Sequence, residues 1–221
     1  MLRYLDVQNI LDKNDLILQE SGCVGSENER GNTYMKKIGI VTDSHSSISQ
    51  EEAEKLGIFV LPMPFYIDGE CFYESVTLSR ELFFEKLAAG ADITTSQPSP
   101  TAVMEIWDKA LEQFEKILYL PISSGLSGSY ETAMMLAKDE AYEGRVLVVD
   151  DGQVAAPLHQ MVLDTLDMIE KGYEAEQIRD LLERAGDRMM IYIALQTLEC
   201  LKKGGRVTPA AAALGSVFNI K

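Results

Sequence analysis

Cysteine and histidine are scarce in this sequence of 221 residues. The three cysteines, Cys23, Cys71 and Cys200, are odd in number, far apart and without the spacing of metal ligands. The only histidines, His45 and His159, are too few for a histidine-rich metal site. We therefore expect free thiols in a reducing compartment, with no metal site and no other cofactor.

Long apolar runs and basic residues are also in short supply. No run reaches the roughly 18–20 apolar residues that span a bilayer, and the N-terminus lacks the pattern of a secretion signal. Twenty lysines and arginines against 35 aspartates and glutamates give a formal net charge of −15. Such a charge argues against non-specific binding to nucleic acid or to anionic membranes. The sequence predicts a soluble, cytoplasmic protein without nucleic-acid partners or stable membrane insertion.

Strand-like apolar segments alternate with helical patterns from residue 36 onwards. The predicted strands are 38–41, 58–62, 117–122, 145–149 and 189–195, with a hairpin around Asp68-Gly69. A loop is predicted at 91–100, and Ser99 followed by Pro100 predicts a helix start, with the helix running to about Phe114. This order predicts an α/β fold with a mostly parallel sheet and helices on both faces. Residues 1–34 have no place in the alternation and are interpreted as an N-terminal extension.

The segment 116–133 joins a buried strand to a helix through a loop of small residues. The loop contains Ser123, Ser124, Gly125, Ser127, Gly128 and Ser129. Glycines allow close backbone approach to a ligand, and the free N–H groups at a helix start favour an anion. An ordinary helix cap has a similar composition, so this loop alone does not decide between the two interpretations.

Three further loops carry hydroxyl, amide or carboxylate groups. Residues 42–47 and 150–153 each follow a strand, as residues 123–129 do, and residues 94–99 precede a helix. Ligands of open α/β sheets bind outside the carboxyl ends of the strands. The convergence of these loops therefore predicts a binding site for a small anionic ligand.

Known catalytic and nucleotide-binding motifs match poorly. The sequence has no G-x-x-x-x-G-K-[ST] motif and no G-x-G-x-x-G after the first strand, so a nucleotide ligand is poorly supported. Residues 125–129 resemble a nucleophile elbow in which Ser129 replaces the last glycine. A serine hydrolase would need His45 or His159 as a base. We interpret Ser127 as a hydrogen-bond donor, with a hydrolase using Ser127 and a protein binding a small phosphate ligand as alternatives.

Four separated motifs, in order, resemble the DegV family. They are Met35–Ser44, Thr95–Ser99, Ile122–Tyr130 and Leu201–Arg206. Members of this family are bacterial fatty-acid-binding proteins, including the fatty-acid-binding subunit of fatty acid kinase. The resemblance extends from Met35 to Lys221.

The resemblance implies a two-domain binding protein without catalysis of its own. Residues 35–158 would form an α/β domain with the carboxylate-binding loops, and residues 159–221 would begin a second, smaller α/β domain. One long-chain fatty acid would lie between the domains and be presented to a kinase catalytic subunit, which forms the acyl phosphate. The implied carboxylate ligands are Thr95, Ser96, Ser124, Gly125, Ser127 and Gly128. Asp43, Ser44 and Arg206 are further candidates for contact with the head group or the partner.

Two departures from the family pattern generate expectations. Asp150-Asp151 stands where the family has Asp-Ser, and an extra carboxylate at this position would repel an anionic head group or alter partner docking. The chain ends at Lys221, before the family's final half-domain, so the second domain is expected to be incomplete and the acyl tunnel open.

Overall fold

The computed structural model describes residues 36–74, 76–192 and 199–207. The predicted extension 1–34 lies outside these residues. The strands are β1 Lys36–Asp43, β2 Phe59–Leu61, β3 Pro64–Ile67, β4 Glu70–Tyr73, β5 Ile93–Thr95, β6 Phe114–Leu120 and β7 Val146–Val148. The helices are α1 Gln50–Leu56, α2 Arg80–Ala88, α3 Pro100–Leu111, α4 Ser129–Leu136, α5 Ala156–Glu170, α6 Ala175–Gly186 and α7 Glu199–Lys203, with a 3₁₀ turn at Ser44–Ser46.

The larger sheet has the strand order β2-β1-β6-β7, and every neighbouring pair is parallel. Its strands are short apolar runs that are buried on both faces, as parallel strands covered by helices require. Helices separate β1 from β2, β6 from its predecessors and β7 from β6. The predicted α/β fold with a parallel sheet is confirmed.

Alternate residues of the central strands face different helices. Ile40 and Leu118 belong to the cluster that includes residues of α1, α5 and α6. Val41 and Tyr119 belong to the cluster that includes residues of α3 and α4, in which Trp107 is fully buried. Because successive strand residues point to opposite faces, this division gives two cores, one on each side of the sheet.

A smaller antiparallel sheet has the order β4-β3-β5. The predicted hairpin is confirmed, with Asp68 and Gly69 at φ values of 51° and 84° between β3 and β4. The predicted loop at 91–100 is wrong for Ile93–Thr95, which pair with Ile67–Phe65 of β3. Three residues are too few for a recognisable alternation, and the strand exists because β3 supplies a partner.

The predicted boundary between α3 and β6 is also wrong. The helix ends at Leu111, and Phe114 begins β6, where it pairs with Lys36. The Phe114 ring covers Gly39: a Cβ added at Gly39 would lie 2.6 Å from ring atoms of Phe114. The burial of an aromatic ring over a glycine on the neighbouring strand therefore outweighs the helical pattern that reaches Phe114.

The predicted strand 189–195 is not formed by its described part, since Met189–Tyr192 are irregular and residues 193–195 lie outside the description. The predicted domain boundary between residues 158 and 159 falls inside α5, whose Leu158 and Met161 are buried in the core on β1. The division of the chain into two domains stays a prediction.

Candidate functional site: the loops at the carboxyl ends of the strands

Asp43 ends β1 as a fully buried carboxylate. Its Oδ1 accepts hydrogen bonds from the backbone N–H of His45 at 2.9 Å and from Nδ1 of His45 at 3.2 Å. Its Oδ2 accepts from the backbone N–H of Ile122 at 2.8 Å. The side chain thus both fixes loop amides and caps the 3₁₀ turn at Ser44–Ser46. Asp43 is therefore a bridge between two loops and has no oxygen left to face a ligand.

The loop after β6 is organised by Ser123. Its backbone oxygen accepts from the N–H groups of Leu126 at 3.0 Å and Ser127 at 3.2 Å, and its Oγ accepts from Gly125 N–H at 3.2 Å. The predicted donor Gly125 is thus already bonded within the loop. The N–H of Gly128, at the start of α4, has no partner among the described residues.

The loop after β7 is attached to the loop after β6 at two points. The Oδ1 of Asp150 accepts from Ser124 N–H and from Gly152 N–H, each at 3.3 Å. The backbone oxygen of Gln153 accepts from Ser123 N–H at 2.9 Å. The Ser124 hydroxyl has no partner within the described part of the chain, so it is available to a ligand.

The loop after β5 contacts the start of α4, next to the loop after β6, through Gln97. The Oε1 of Gln97 accepts from the Thr132 hydroxyl of α4 at 3.3 Å and lies 3.3 Å from where a Cβ of Gly128 would be. The exposed predicted ligands Thr95 and Ser96 precede it, with the Ser96 hydroxyl donating to Gln97 O at 3.1 Å. The structure therefore brings the two predicted halves of the site together, and the side chain that joins them is one that the sequence analysis did not select.

Ser44 is connected to the loop after β5 through the chain segment before β3. Its Oγ accepts from Met63 N–H at 3.2 Å, and the next residue, Pro64, accepts from Ser96 N–H at 3.4 Å. Ser44 thus holds the loop after β1 beside Ser96. Its hydroxyl proton remains available.

Arg206 contacts the Ser123–Ser129 loop at Leu126. Its Nε donates to Leu126 O at 3.1 Å, and its Nη1 donates to Gly204 O at 2.6 Å. Lys203, one turn earlier, forms an ion pair with Asp92 just before β5. The Gly-Gly-Arg turn is therefore held against the loop after β6, and the preceding Lys203 is paired just before β5.

Ser127 is hydrogen-bonded to Ser129 and not to a histidine. The two hydroxyl oxygens are 2.6 Å apart, and Ser129 N–H donates to Ser127 Oγ at 3.3 Å. Ser127 Oγ accepts the bond from Ser129 N–H. When the Ser129 hydroxyl also donates the bond between the two hydroxyls, the proton of Ser127 is left for an anion. The histidines pair elsewhere, His45 with Asp43 and His159 Nε2 with Glu52 at 3.2 Å. This geometry favours a donor role for Ser127 over a nucleophilic one.

Asp151 is buried, which contradicts the expectation that it faces the ligand. Its side chain is 1% exposed, and its Oδ1 accepts from Gln153 N–H at 2.9 Å. Burial, with smaller contributions from the negative charges of Asp150 and Asp43, raises the pKa of Asp151 from 3.8 to about 7. A buried carboxyl that is easily neutralised does not supply the repulsive charge that the sequence suggested.

Sequence reasoning also missed Ser123, Ser129 and Gln153 as organisers of the site. The only signal for them was their position in polar loops, which does not reveal which hydroxyl or amide turns inwards. No group of three or more metal-binding side chains occurs among the described residues. In the same part of the chain, no helix is long and apolar enough to cross a membrane.

A family model described as "uncharacterised protein, DegV family" matches residues 37–221. The chain belongs to the DegV family. A DegV domain-containing protein from Deinococcus radiodurans is 35% identical over 185 residues, which are 83% of this chain and 65% of that relative. The resemblance drawn from the four motifs is therefore confirmed.

Two solved structures share this fold. One is a fatty-acid-binding DegV family protein from Thermus thermophilus. It has a TM-score of 0.74 and 34% identity over 83% of this chain and 65% of its own. A stearic-acid-binding protein from Eubacterium ventriosum has a TM-score of 0.66 and 26% identity over 80% of this chain and 64% of its own. The chain thus spans about 65% of the length of these relatives.

Proposed function

We propose that this DegV chain binds a long-chain fatty acid and holds its carboxylate at the Ser123–Ser129 loop. The observation that carries the proposal is that two other segments meet at this loop, since Gln97 Oε1 lies close to Gly128 and Arg206 Nε donates to Leu126 O. The unpartnered hydroxyl of Ser124, the proton of Ser127 and the N–H of Gly128 supply donors. Hydrogen bonds to a charged carboxylate are roughly twice as strong as neutral ones, so a few suffice to orient it. The fatty acid binding of the Thermus relative supports the same ligand class.

The acyl chain and the head group have different roles in this proposal. Burying an acyl chain contributes ~0.8 kcal/mol per methylene, or on the order of 10 kcal/mol for about sixteen carbons before the costs of binding. The loops add less free energy than the tail but determine where the carboxylate lies. The tail therefore sets affinity and the loops set orientation.

The oriented carboxylate would be presented to a separate kinase subunit in the cytoplasm. A binding subunit fits the arrangement at Ser127, because an activated nucleophile needs an adjacent base and neither histidine is bonded to this hydroxyl. The exposed Arg206, bonded to Leu126 O, is positioned next to the proposed head-group site and is our candidate for contact with the partner. Phosphorylation would then be the chemistry of the partner and not of this chain.

The central experiment is to denature the purified 221-residue protein and to identify released fatty acids by mass spectrometry. We expect long-chain fatty acid in near-stoichiometric amount. Gly125→Asp adds a carboxylate where the new Cβ has only an ordinary contact, 3.5 Å from Ser123 Oγ, and should reduce the bound lipid strongly. Ala141→Asp, exposed near the amino end of β7, is the matched control and should retain it. Absence of lipid from the wild type, together with no uptake of added fatty acid, would overturn the proposal.

The two alternatives make different predictions for the same preparation. A serine hydrolase would turn over activated esters and lose this activity in Ser127→Ala. A protein for a small phosphate ligand would be stabilised against heat by inorganic phosphate but not by fatty acids. Lipid retention without ester turnover would exclude the first alternative, and stabilisation by fatty acid alone would exclude the second.

A further inference from the structure

Two buried oxygen atoms in the loop after β7 have no hydrogen-bond partner within the described part of the chain. They are Oδ2 of Asp151 and Oε1 of Gln153, and their side chains are 1% and 3% exposed. A buried polar atom without a partner costs about 1–3 kcal/mol, so two in neighbouring residues require an explanation.

The orientation of the Gln153 amide is fixed by its other contacts. Its Nε2 donates to the backbone oxygen of Asp151 at 3.1 Å and to that of Gly186, at the end of α6, at 3.4 Å. Because both partners are acceptors, exchanging the amide nitrogen and oxygen would break both bonds. Oε1 is therefore the acceptor, and the unpartnered Oδ2 of Asp151, two residues earlier, is an acceptor too when the carboxyl is ionised.

One proton resolves the conflict between these two acceptors. The residues are already joined, since Asp151 Oδ1 accepts from Gln153 N–H at 2.9 Å. A neutral Asp151 has an O–H group at Oδ2, and Gln153 Oε1 needs a donor. A proton on Oδ2 would give these two acceptors the donor that both lack.

The charges around Asp151 favour the neutral acid. Asp43 from β1 and Asp150 from the same loop both raise the pKa of Asp151, in addition to the larger effect of burial. The adjoining α6 contributes Gly186 at the contact. Its Glu183 is also acidic and interacts with Asp150, and its Arg179 interacts with Glu183. The imidazole of His45 pairs with Asp43 and not with Asp151.

We propose that Asp151 is a positioning residue that works as the neutral acid, donating its proton to Gln153 Oε1 and thereby holding the carboxylate-binding loop. The connection is direct, because Gln153 O accepts from Ser123 N–H at 2.9 Å and Ser123 organises the loop up to Ser127. Loss of the proton returns two unpartnered buried acceptors to the support of Ser123. The ligand part of this inference rests on the proposed function, whereas the shared proton does not.

The shared proton is tested by an NMR titration of the aspartate carboxyl carbons in the whole chain. The resonance missing from Asp151→Asn identifies Asp151. We expect this carboxyl to titrate within about one unit of neutrality, and Gln153→Leu, which removes the acceptor, to lower the midpoint. A midpoint near the ordinary value of about 4 would overturn the shared proton.

The effect on the ligand is tested by titrating the protein with a fluorescent long-chain fatty acid at pH 6 and pH 8. Asp151→Asn keeps one acceptor and one donor. Its affinity for the probe should therefore be the same at both pH values, once the pH dependence of the probe itself is subtracted. The wild type should lose roughly tenfold in affinity relative to this variant between the two pH values. Asp151→Ala, which has neither group, should bind weakly at both.

The outcomes separate the two proposals. Equal pH dependence in the wild type and Asp151→Asn would overturn the positioning role. Absence of fatty acid binding in every variant, with a near-neutral carboxyl titration, would overturn the proposed function and leave the shared proton intact.

Discussion

The carboxylate of Asp43 accepts a hydrogen bond from the backbone N–H of Ile122 at 2.8 Å, across 79 positions of the sequence. The bond joins the carboxyl end of β1 to the first residues after β6, next to the strand pairing of Thr42 with Leu120. With the two bonds from His45, it gives the buried carboxylate three donors. One side chain thus holds two of the loops in register.

Replacing Asp43 by Asn, a side chain of nearly the same size, should destabilise the protein. The amide has only one oxygen, so its NH₂ group must face either Ile122 N–H or the His45 donors. An unmatched buried donor costs about 1–3 kcal/mol, and we expect a loss of about 2 kcal/mol in the free energy of unfolding. Urea denaturation followed by circular dichroism measures this loss.

Asp187→Asn is the control for the change of charge. Asp187 is exposed at the end of α6, and its carboxylate makes no hydrogen bond within the described part of the chain. Its replacement should change the free energy of unfolding by no more than about 0.5 kcal/mol. Equal effects of the two substitutions would show that Asp43 acts only through net charge.

Gly186→Ala tests the close approach of α6 to the loop after β7. A Cβ at Gly186 would lie 2.0 Å from the backbone oxygen of Asp151, so the loop would have to move. Alanine gains up to about 1 kcal/mol in helix propensity, whereas overpacking typically costs 1–3 kcal/mol and occasionally more. Because a contact this short falls among the severe cases, we expect a net loss of about 2 kcal/mol in chemical denaturation. Gly125→Ala is the control: its new Cβ would have its nearest contact at 3.5 Å, so the free energy of unfolding should hardly change. An increase in stability in Gly186→Ala would contradict this close packing.

The sequence predicted the sheet better than the contacts between its loops. Apolar runs such as Ile117–Leu120 reveal a buried strand, because burial on both faces demands such a composition. The short β5 gave no such signal, since its strand state depends on pairing with β3. Pattern alone reports local preference, and tertiary pairing adds the rest.

The site shows the same limit at the level of side chains. Convergence of the loops followed from the general behaviour of open α/β sheets, and Ser127 was interpreted as a donor because histidines are scarce. The turn of Asp151 into the core was not predictable, because an acidic residue in a polar loop is usually exposed. Its burial depends on Gly186, which lies 35 positions further along the chain and leaves room for the loop.

Ser127→Ala should affect orientation of the ligand more than its retention. The lost hydroxyl is one head-group donor, while the acyl chain supplies most of the binding free energy. We expect acyl phosphate formation by a partner kinase to fall by about tenfold or more, with lipid retention falling less. Thr95→Ala should behave similarly. Equal loss of both quantities would contradict the separate roles of loop and tail.

Ser49→Ala is the control for losing a serine hydroxyl that caps a helix. Ser49 Oγ accepts from Glu52 N–H at 3.1 Å at the start of α1, and its loss should cost about 1 kcal/mol of stability. Acyl phosphate formation should be unchanged, since the hydroxyl has no part in the proposed head-group site. A similar fall in both serine variants would attribute the effect of Ser127→Ala to stability alone.

The pH dependence of stability should carry the signature of Asp151. Burial raises its pKa in the folded protein from 3.8 to about 7, so the folded state binds this proton more tightly than the unfolded chain does. The corresponding stability is fully present below pH 3.8, declines as the pH rises, and is lost above about pH 7. With 1.36 kcal/mol for each unit of pKa, the difference amounts to roughly 4 kcal/mol.

Other carboxyl groups also titrate in this range, so the comparison needs Asp151→Asn, in which they are unchanged. The free energy of unfolding of this variant minus that of the wild type should therefore increase between pH 4 and pH 7 and stay constant above it. A difference that does not change with pH would mean that Asp151 is ionised in the folded protein at little cost.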